Sequence, residues 1–438
     1  MKICVVGLWH LGSVTAAALA HLGHRVMGLE GEQKAVEELR GGRAPLFEPG
    51  LDEMIAEGLC RDKQEQLSFH SIKDHTALVD FAPEVIWITF DTPVNENDEA
   101  DTDFVFNQIV MLMPYFPEGV RVLVSSQVPI GFTRRAQDHY KKHYPSKRAH
   151  FAVSPENLRL GKALQVFLNP DRIIVGSNSS EVELFRPLFE TIVPATRLEW
   201  MSIESAEMTK HAINSFLATS VVFANEIALL CEEYGANAKE VARGLKSEER
   251  IGPKAYVGAG TAFSGGTLAR DIQFLKGLAA SANIPLKLIP SVKESNDRHK
   301  NWVKEKCEKV LGTLFGKRIL VLGLTYKPNT DTLRRSLSIE LIKSLIASGA
   351  TISAYDPAVK RLPLEYFDLF KLVTSVHDGD QIEGCDAIVV STEWSEFKEW
   401  GDEVYLKLKD KVIIDPNGFI EMPMRKAGAT RYYAVGRR

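Results

Sequence analysis

Twice along this chain a short apolar run closes on a glycine and gives way to a longer helical pattern, at Lys2–Gly7 (KICVVG) and at Arg318–Gly323 (RILVLG). Runs of this length without polar alternation suit strands buried on both faces, and such strands belong to parallel sheets covered by helices. After the first opening come His24–Glu30 (HRVMGLE), Val85–Phe90, Val120–Ser126, Phe151–Ser154 and Arg172–Gly176. After the second come Thr351–Tyr355, Ala387–Ser391 and Val412–Ile414. The spacing leaves room for helices in between, which is the alternation of a doubly wound α/β sheet.

Between the two series the texture changes. Ile203 to Tyr234 carries no proline and one continuous helical apolar pattern, nearly three times the ~11 residues of an average helix. Gly235 is suited to terminate it. Further helical patterns run to about Leu311, interrupted by a Gly/Ala-rich loop from Val257 to Gly266. The expected architecture is α/β, with two Rossmann-like parallel-sheet domains joined by a long central helix and a helical dimerisation region. The expected divisions are residues 1–200, 201–311 and 312–438.

Composition narrows the function classes. With 53 basic against 57 acidic side chains, a net charge of −4 gives no electrostatic case for nucleic acid or an anionic membrane. Cys4, Cys60, Cys231, Cys307 and Cys385 are scattered without a CxxC pair, so neither a disulfide framework nor a metal site is expected, and a reducing, cytoplasmic setting fits better. Lys2, the following apolar run and Ala16 to Ala20 imitate a leader peptide, but Gly7, Trp9 and His10 break the run. No apolar stretch is expected to approach the ~20 residues of a membrane span.

The first glycine turn carries chemistry. Gly7-Leu8-Trp9-His10-Leu11-Gly12 lies between the first strand and the first helix, where a dinucleotide fingerprint belongs. In the common G-x-G-x-x-G form the first glycine makes the turn, the second admits the pyrophosphate and the third lets helix and strand pack closely. The middle position here is Trp9, whose ring must point away from any bound phosphate. Glu30 closes the second strand at the distance where a carboxylate accepts hydrogen bonds from an adenosine ribose. Its charge also repels a 2′-phosphate. Turn, helix and carboxylate together imply NAD rather than NADP.

More blocks follow in order: Phe47-Glu48-Pro49-Gly50-Leu51, Thr92-Pro93, Val128-Pro129-Ile130-Gly131, Ser154-Pro155-Glu156-Asn157-Leu158-Arg159, Glu207 to Asn214 and Asn225-Glu226. The second half adds Gly323 to Asp331 with Arg334, then Tyr355-Asp356-Pro357 and Thr392-Glu393-Trp394. On these blocks the chain resembles the UDP-glucose/GDP-mannose dehydrogenase family over essentially its whole length. The resemblance implies an N-terminal NAD domain, a long helix that builds a homodimer, and a C-terminal domain that helps hold a nucleotide sugar, a UDP-sugar being favoured. It implies oxidation of a C6 alcohol to a carboxylate with two NAD, the second step passing through a thiohemiacetal and a thioester on a cysteine.

Residue by residue, the resemblance assigns Lys210, Asn214, Asp271 and Glu156 to catalysis. It assigns Gly7, Trp9, His10, Leu11, Gly12, Glu30, Thr92, Gln127, Arg270 and Arg334 to the cofactor. To the substrate it assigns Glu156, Leu158, Arg159, Lys210, Asn214, Arg250, Phe263, Gly265 and Lys327. Lys210 and Asn214 are four apart, so a helix projects both from one face, where an ammonium and an amide can steady a developing alkoxide. Read without the resemblance, Lys210 is a solvated lysine, Glu156 an exposed strand-end acid and Asp271 an N-cap for the helix that follows.

The decisive departure is in Gly260 to Asp271 (GTAFSGGTLARD), where the nucleophilic cysteine of the family is replaced by Thr267 and the lysine by Arg270. A thiolate is accessible near neutral pH, whereas a threonine hydroxyl needs a strong adjacent base. Other losses go with it. Leu160 stands where the family has a second glutamate, Gln127 where it has a threonine, and Asp91 where a glycine precedes Thr92-Pro93. The expected function is therefore NAD-dependent oxidation of a nucleotide sugar without a covalent thioester step. The alternative is a degenerate homologue that binds nucleotide sugar or NAD without turnover.

Overall fold

The structure, a computed structural model, describes residues 1–60, 66–95, 100–156, 158–264, 266–376 and 380–437. It divides into two compact units, Met1–Ala212 and Ile213–Arg438.

The first unit is built on eight strands: β1 (Lys2–Val6), β2 (Arg25–Glu30), β3 (Leu67–Ser71), β4 (Val85–Ile88), β5 (Val120–Val124), β6 (Ala149–Val153), β7 (Ile173–Gly176) and β8 (Leu198–Met201). Their spatial order is β3-β2-β1-β4-β5-β6-β7-β8. All neighbours run parallel except β6 and β7, which meet antiparallel at the single pair Val153↔Gly176. The expected parallel sheet thus carries one reversal: β7 enters antiparallel and β8 pairs parallel to it. Ile3, Val5 and Val26 on one face, and Cys4, Val6 and Ile86 on the other, are fully or almost fully buried in separate cores. That double burial is why these strands read as unbroken apolar runs. The Ala-rich first helix, His10–His21, packs on the helices Leu51–Cys60 and Ala163–Leu168. Its small side chains permit a close approach, and Ala16 to Ala20 are buried.

The second unit carries β9 (Arg318–Leu322), β10 (Thr351–Tyr355), β11 (Lys371–Leu372), β12 (Ala387–Val390), β13 (Val412–Ile414) and β14 (Tyr432–Tyr433). They form a parallel sheet in the order β11-β10-β9-β12-β13-β14. In both sheets the first strand in sequence sits inside the sheet at the point where the strand order reverses, β1 between β2 and β4 and β9 between β10 and β12. The crevice that ligands use in open α/β sheets opens at the carboxyl end of such a strand.

The spine helix runs from Ile203 to Tyr234 without a break and stops at Gly235, whose φ of +73° suits glycine. It corrects one expectation, because by length and composition it is apolar enough to cross a bilayer, an 18-residue stretch of it having a mean hydropathy of 1.5. Polar residues interrupt its apolar runs, and several of them are hydrogen-bonded inside the protein. Glu207 accepts the Gly131 and Thr133 amides at 2.6 and 3.0 Å, and the His211 ring meets the Val128 carbonyl at 3.0 Å. In the second unit Asn225 Oδ1 accepts the Gly260 amide at 2.9 Å.

Candidate functional site

At the carboxyl end of β1, Gly7 has φ +88°, and a Cβ there would stand 2.6 Å from the Phe90 ring. A Cβ on Gly12 would stand 1.8 Å from the Gly7 carbonyl oxygen, so this glycine is what lets the first helix close on the strand. Trp9 has φ −65°, a backbone open to any residue, and its ring is exposed. Its negative φ does not call for a glycine at the middle position. Glu30 Oε2 accepts the Leu8 amide at 2.7 Å, and Oε1 accepts the amides of Gly31 and Glu32 at 2.6 and 3.2 Å. A tight turn, a helix N-terminus and a strand-end carboxylate fit the adenosine and pyrophosphate portion of NAD. Thr92 and Gln127 follow β4 and β5 at the same sheet edge, joined by a 2.7 Å bond from Thr92 Oγ1 to the Gln127 carbonyl.

His10, the first residue of its helix, meets Glu48 Oε2 through Nε2 at 2.9 Å. Glu48 is almost completely buried, and it also accepts the amides of Gly161 at 2.8 Å and Ala163 at 2.7 Å. Burial pushes its carboxyl up, but the bonds from His10, Gly161 and Ala163 outweigh that and hold it below the ordinary carboxylate value.

Lys210 Nζ donates to the Glu156 carbonyl at 2.6 Å and lies 3.6 Å from Glu156 Oε1, with 11% of its side chain exposed. Glu156 Oε2 accepts the Leu158 amide at 2.7 Å, while the Arg159 side chain reaches solvent. This small cleft is completed by Ser126, Gln127 and Glu207. Burial pushes Glu207 up.

In the second unit Asn214 Nδ2 donates to Asp271 Oδ2, and both side chains are buried. The helix carrying Asp271 begins at Gly266 and runs to Ser281, so Asp271 lies inside it and does not cap it. Arg270 is buried beside it, whereas Thr267 is exposed on the first turn. The loop ahead of that helix is clamped by four side chains. Asn225 and Asn417 accept the Gly260 and Thr261 amides at 2.9 and 2.8 Å. Asn296 brackets both backbone groups of Phe263, and the His299 ring bonds the Gly260 carbonyl at 2.8 Å. Gly265 lies outside the described residues.

The loop after β9 repeats the construction of the first turn. Gly7 N donates to the Leu29 carbonyl at 2.9 Å, and Gly323 N donates to the Tyr355 carbonyl at 2.7 Å. Asp356, just past β10, accepts the Leu324 and Thr325 amides at 2.7 and 3.0 Å, as Glu30 accepts that of Leu8. Lys327 is exposed with its ammonium 5.2 Å from the Tyr326 ring centroid, and Arg334 is exposed on the same loop. Arg250 stands apart on an exposed turn, paired with Glu248 at 2.8 Å.

Gly7, Trp9, His10, Leu11, Gly12, Glu30, Thr92 and Gln127 thus share one sheet edge of the first unit. Lys210 and Glu156 share its cleft, with the Leu158 amide bonded to Glu156, and Asn214 and Asp271 pair in the second unit. The sequence reading gave no role to Glu48 or Asp356, although each sits in a quoted block. A carboxylate amid turn-forming proline and glycine was the available signal, since such a residue serves backbone amides.

The comparisons with known proteins agree along the whole chain. Residues 1–193 match the NAD binding domain of the UDP-glucose/GDP-mannose dehydrogenase family, 204–298 its central domain and 320–422 its UDP binding domain. A UDP-glucose 6-dehydrogenase from Rickettsia typhi is 34% identical over all of this chain and 99% of that protein. UDP-glucose 6-dehydrogenase TuaD of Bacillus subtilis is 32% identical over all of this chain and 93% of that protein. The UDP-glucose dehydrogenase structure from Pyrobaculum islandicum superposes with a TM-score of 0.88 at 28% identity, covering all of this chain and 98% of the other. The chain belongs to the UDP-glucose/GDP-mannose dehydrogenase family, as an NAD-dependent nucleotide-sugar dehydrogenase.

Proposed function

We propose that this family member carries out one two-electron oxidation of a UDP-sugar and forms no thioester. The observation that carries this reading is Thr267, an exposed threonine on the first helical turn at the position of the nucleophile. None of the five cysteines lies near it in sequence. Cys4, Cys231, Cys307 and Cys385 are buried in apolar cores, and Cys60 is exposed at the end of a helix in the first unit. Burial pushes the Cys307 thiol up to about 12 and that of Cys385 up to about 11. Leu160 in place of the second glutamate also removes a group that moves protons during ester hydrolysis.

The reaction removes a hydride and a proton from a carbinol and leaves a carbonyl. NAD, when bound, supplies the hydride acceptor. Lys210 and Asn214, one turn apart on the spine helix, hold the developing alkoxide together with ordered water, and the alcohol proton passes to that water. Asp271 keeps the Asn214 amide oriented through its hydrogen bond. Glu156, held by Lys210, borders the sugar, and the family resemblance gives Lys327 and Arg250 to the substrate as well. A UDP-sugar is favoured by the match to the family's UDP binding domain and by the names of the relatives.

The assembly is a homodimer in this reading, with a second copy covering the outer face of the spine helix. Phe216, Phe223 and Leu230 recur there every seven residues and are 73, 46 and 56% exposed, an apolar stripe suited to a partner helix. Five free cysteines suit a reducing, cytoplasmic setting.

The test is a product count on purified protein with excess NAD and limiting UDP-glucose or related UDP-sugars. One NADH per sugar and an aldehyde or ketone are expected. Two NADH and a uronate, or a sugar ester trapped on the chain in intact-mass spectra, would overturn the reading.

A further inference from the structure

Glu48 belongs to neither ligand set, yet it is bonded to both loops that carry them. One of its oxygens takes the His10 ring and the Gly161 amide at 2.9 and 2.8 Å, and the other takes the Ala163 amide at 2.7 Å. His10 opens the helix that follows the dinucleotide turn. Gly161 and Ala163 close the segment that begins at Glu156, the partner of Lys210, and contains Leu158 and Arg159. Glu48 is 3% exposed, so these donors are its solvation. A buried carboxylate deprived of one donor is strongly disfavoured, and the remaining donors then shift to recover it. The backbone around it has little freedom for such a shift. Gly161 has φ +84°, and the helices His10–His21 and Ala163–Leu168 are packed against each other in one apolar core.

Resting on the nucleotide-sugar reading above, we propose that Glu48 is a positioning residue that couples the cofactor loop to the substrate loop. Placing His10 for NAD places the Gly161–Ala163 turn, and through it the Glu156–Arg159 segment. Binding of NAD and binding of the sugar nucleotide then reinforce one another, and the coupling is reciprocal.

The experiment is calorimetric titration of the full-length protein with NAD, with and without saturating UDP-glucose, and the converse titration. In the native protein each ligand should tighten the other by at least about fivefold. Glu48→Gln should bring that factor to one, because an amide cannot accept from three donors in the same way. His10→Phe cuts only the cofactor arm and leaves the Gly161 and Ala163 amides bonded to Glu48. It should therefore also bring the factor to one. If Glu48→Gln does not fold, as judged by circular dichroism, the His10→Phe titration decides alone. A histidine that merely touched the cofactor would change NAD affinity and leave the factor at its native value, which would overturn the proposal. A factor of one in the native protein would overturn it too. Failure of the native protein to bind either ligand would instead overturn the functional reading on which it rests.

Discussion

Replacing Lys210 by methionine separates a catalytic ammonium from a structural one. The substitution keeps most of the apolar stem and deletes the charge. In the structure that charge makes a 2.6 Å bond to the Glu156 carbonyl and lies 3.6 Å from its carboxylate. A hydrogen bond from a charged group contributes about 1.5–3 kcal/mol when its partner is left dry. Glu156 keeps its bond to Leu158, and 22% of its side chain reaches water, which brings the loss down to about 1 kcal/mol. For about 200 residues unfolding together, that lowers the melting temperature by roughly 2–4 °C. An oxyanion that loses one preorganised donor costs far more in rate, about 10²–10³ in kcat or roughly 2.7–4 kcal/mol. The assay is NADH formation at saturating NAD and UDP-sugar, beside a thermal melt of each protein. The expected result is a collapse of kcat with a small shift in melting temperature. A kcat within about threefold of the native value, with the melt lowered as computed, would refute the alkoxide role and leave Lys210 as a strut for Glu156.

Thr267→Cys should fold normally, since the position is exposed, with a stability change within about 0.5 kcal/mol. A thiol on the first turn of a helix ionises below its usual ~8.5. The variant should therefore yield more than one NADH per sugar and a sugar adduct visible in intact mass, and an unchanged product count would refute the view that Thr267 is what stops the second step. Thiol labelling of the native protein should modify Cys60 quickly and leave Cys4, Cys231, Cys307 and Cys385 until denaturant is added; a second fast thiol would contradict the packing of the cores. Glu48 has its folded carboxyl held below its ordinary value of 4.5 by bonds that outweigh burial. Its stabilising contribution is thus complete above about pH 4.5 and is lost as the pH falls through the lower folded value. Acid melts should show that loss in the native protein and a flatter limb in Glu48→Gln.

The spine helix was legible to the residue because nothing between Ile203 and Tyr234 breaks a helix and Gly235 ends it. The inner strands of the two sheets were legible because doubly buried strands cannot hide their apolar runs, whereas β3 and β8, only partly buried, were not read. The two-residue strands β11 and β14 were not, since two residues carry no periodicity. Nor was the reversal at β7, which rests on one pair of residues. Within the site, the local pieces could be read: the glycine turn, the Lys210–Asn214 spacing and the displaced cysteine. What escaped depends on separation along the chain. The partners of Glu48 lie 38, 113 and 115 positions away, and no local pattern encodes such a meeting. The alternative of Asp271 as a mere cap falls because its helix already starts at Gly266, a weak helix former that gives no early signal.

The carboxylate at the end of β2 bears on any attempt to redesign cofactor preference. The usual recipe for admitting a 2′-phosphate exchanges an acid such as Glu30 for a small neutral residue. Here the exchange would also take away the acceptor of the Leu8, Gly31 and Glu32 amides, so selectivity and loop shape form a single design variable. An engineer would have to supply a replacement acceptor, or a shorter turn, in the same round of mutation. Asp356 places the loop after β9 under the same restriction.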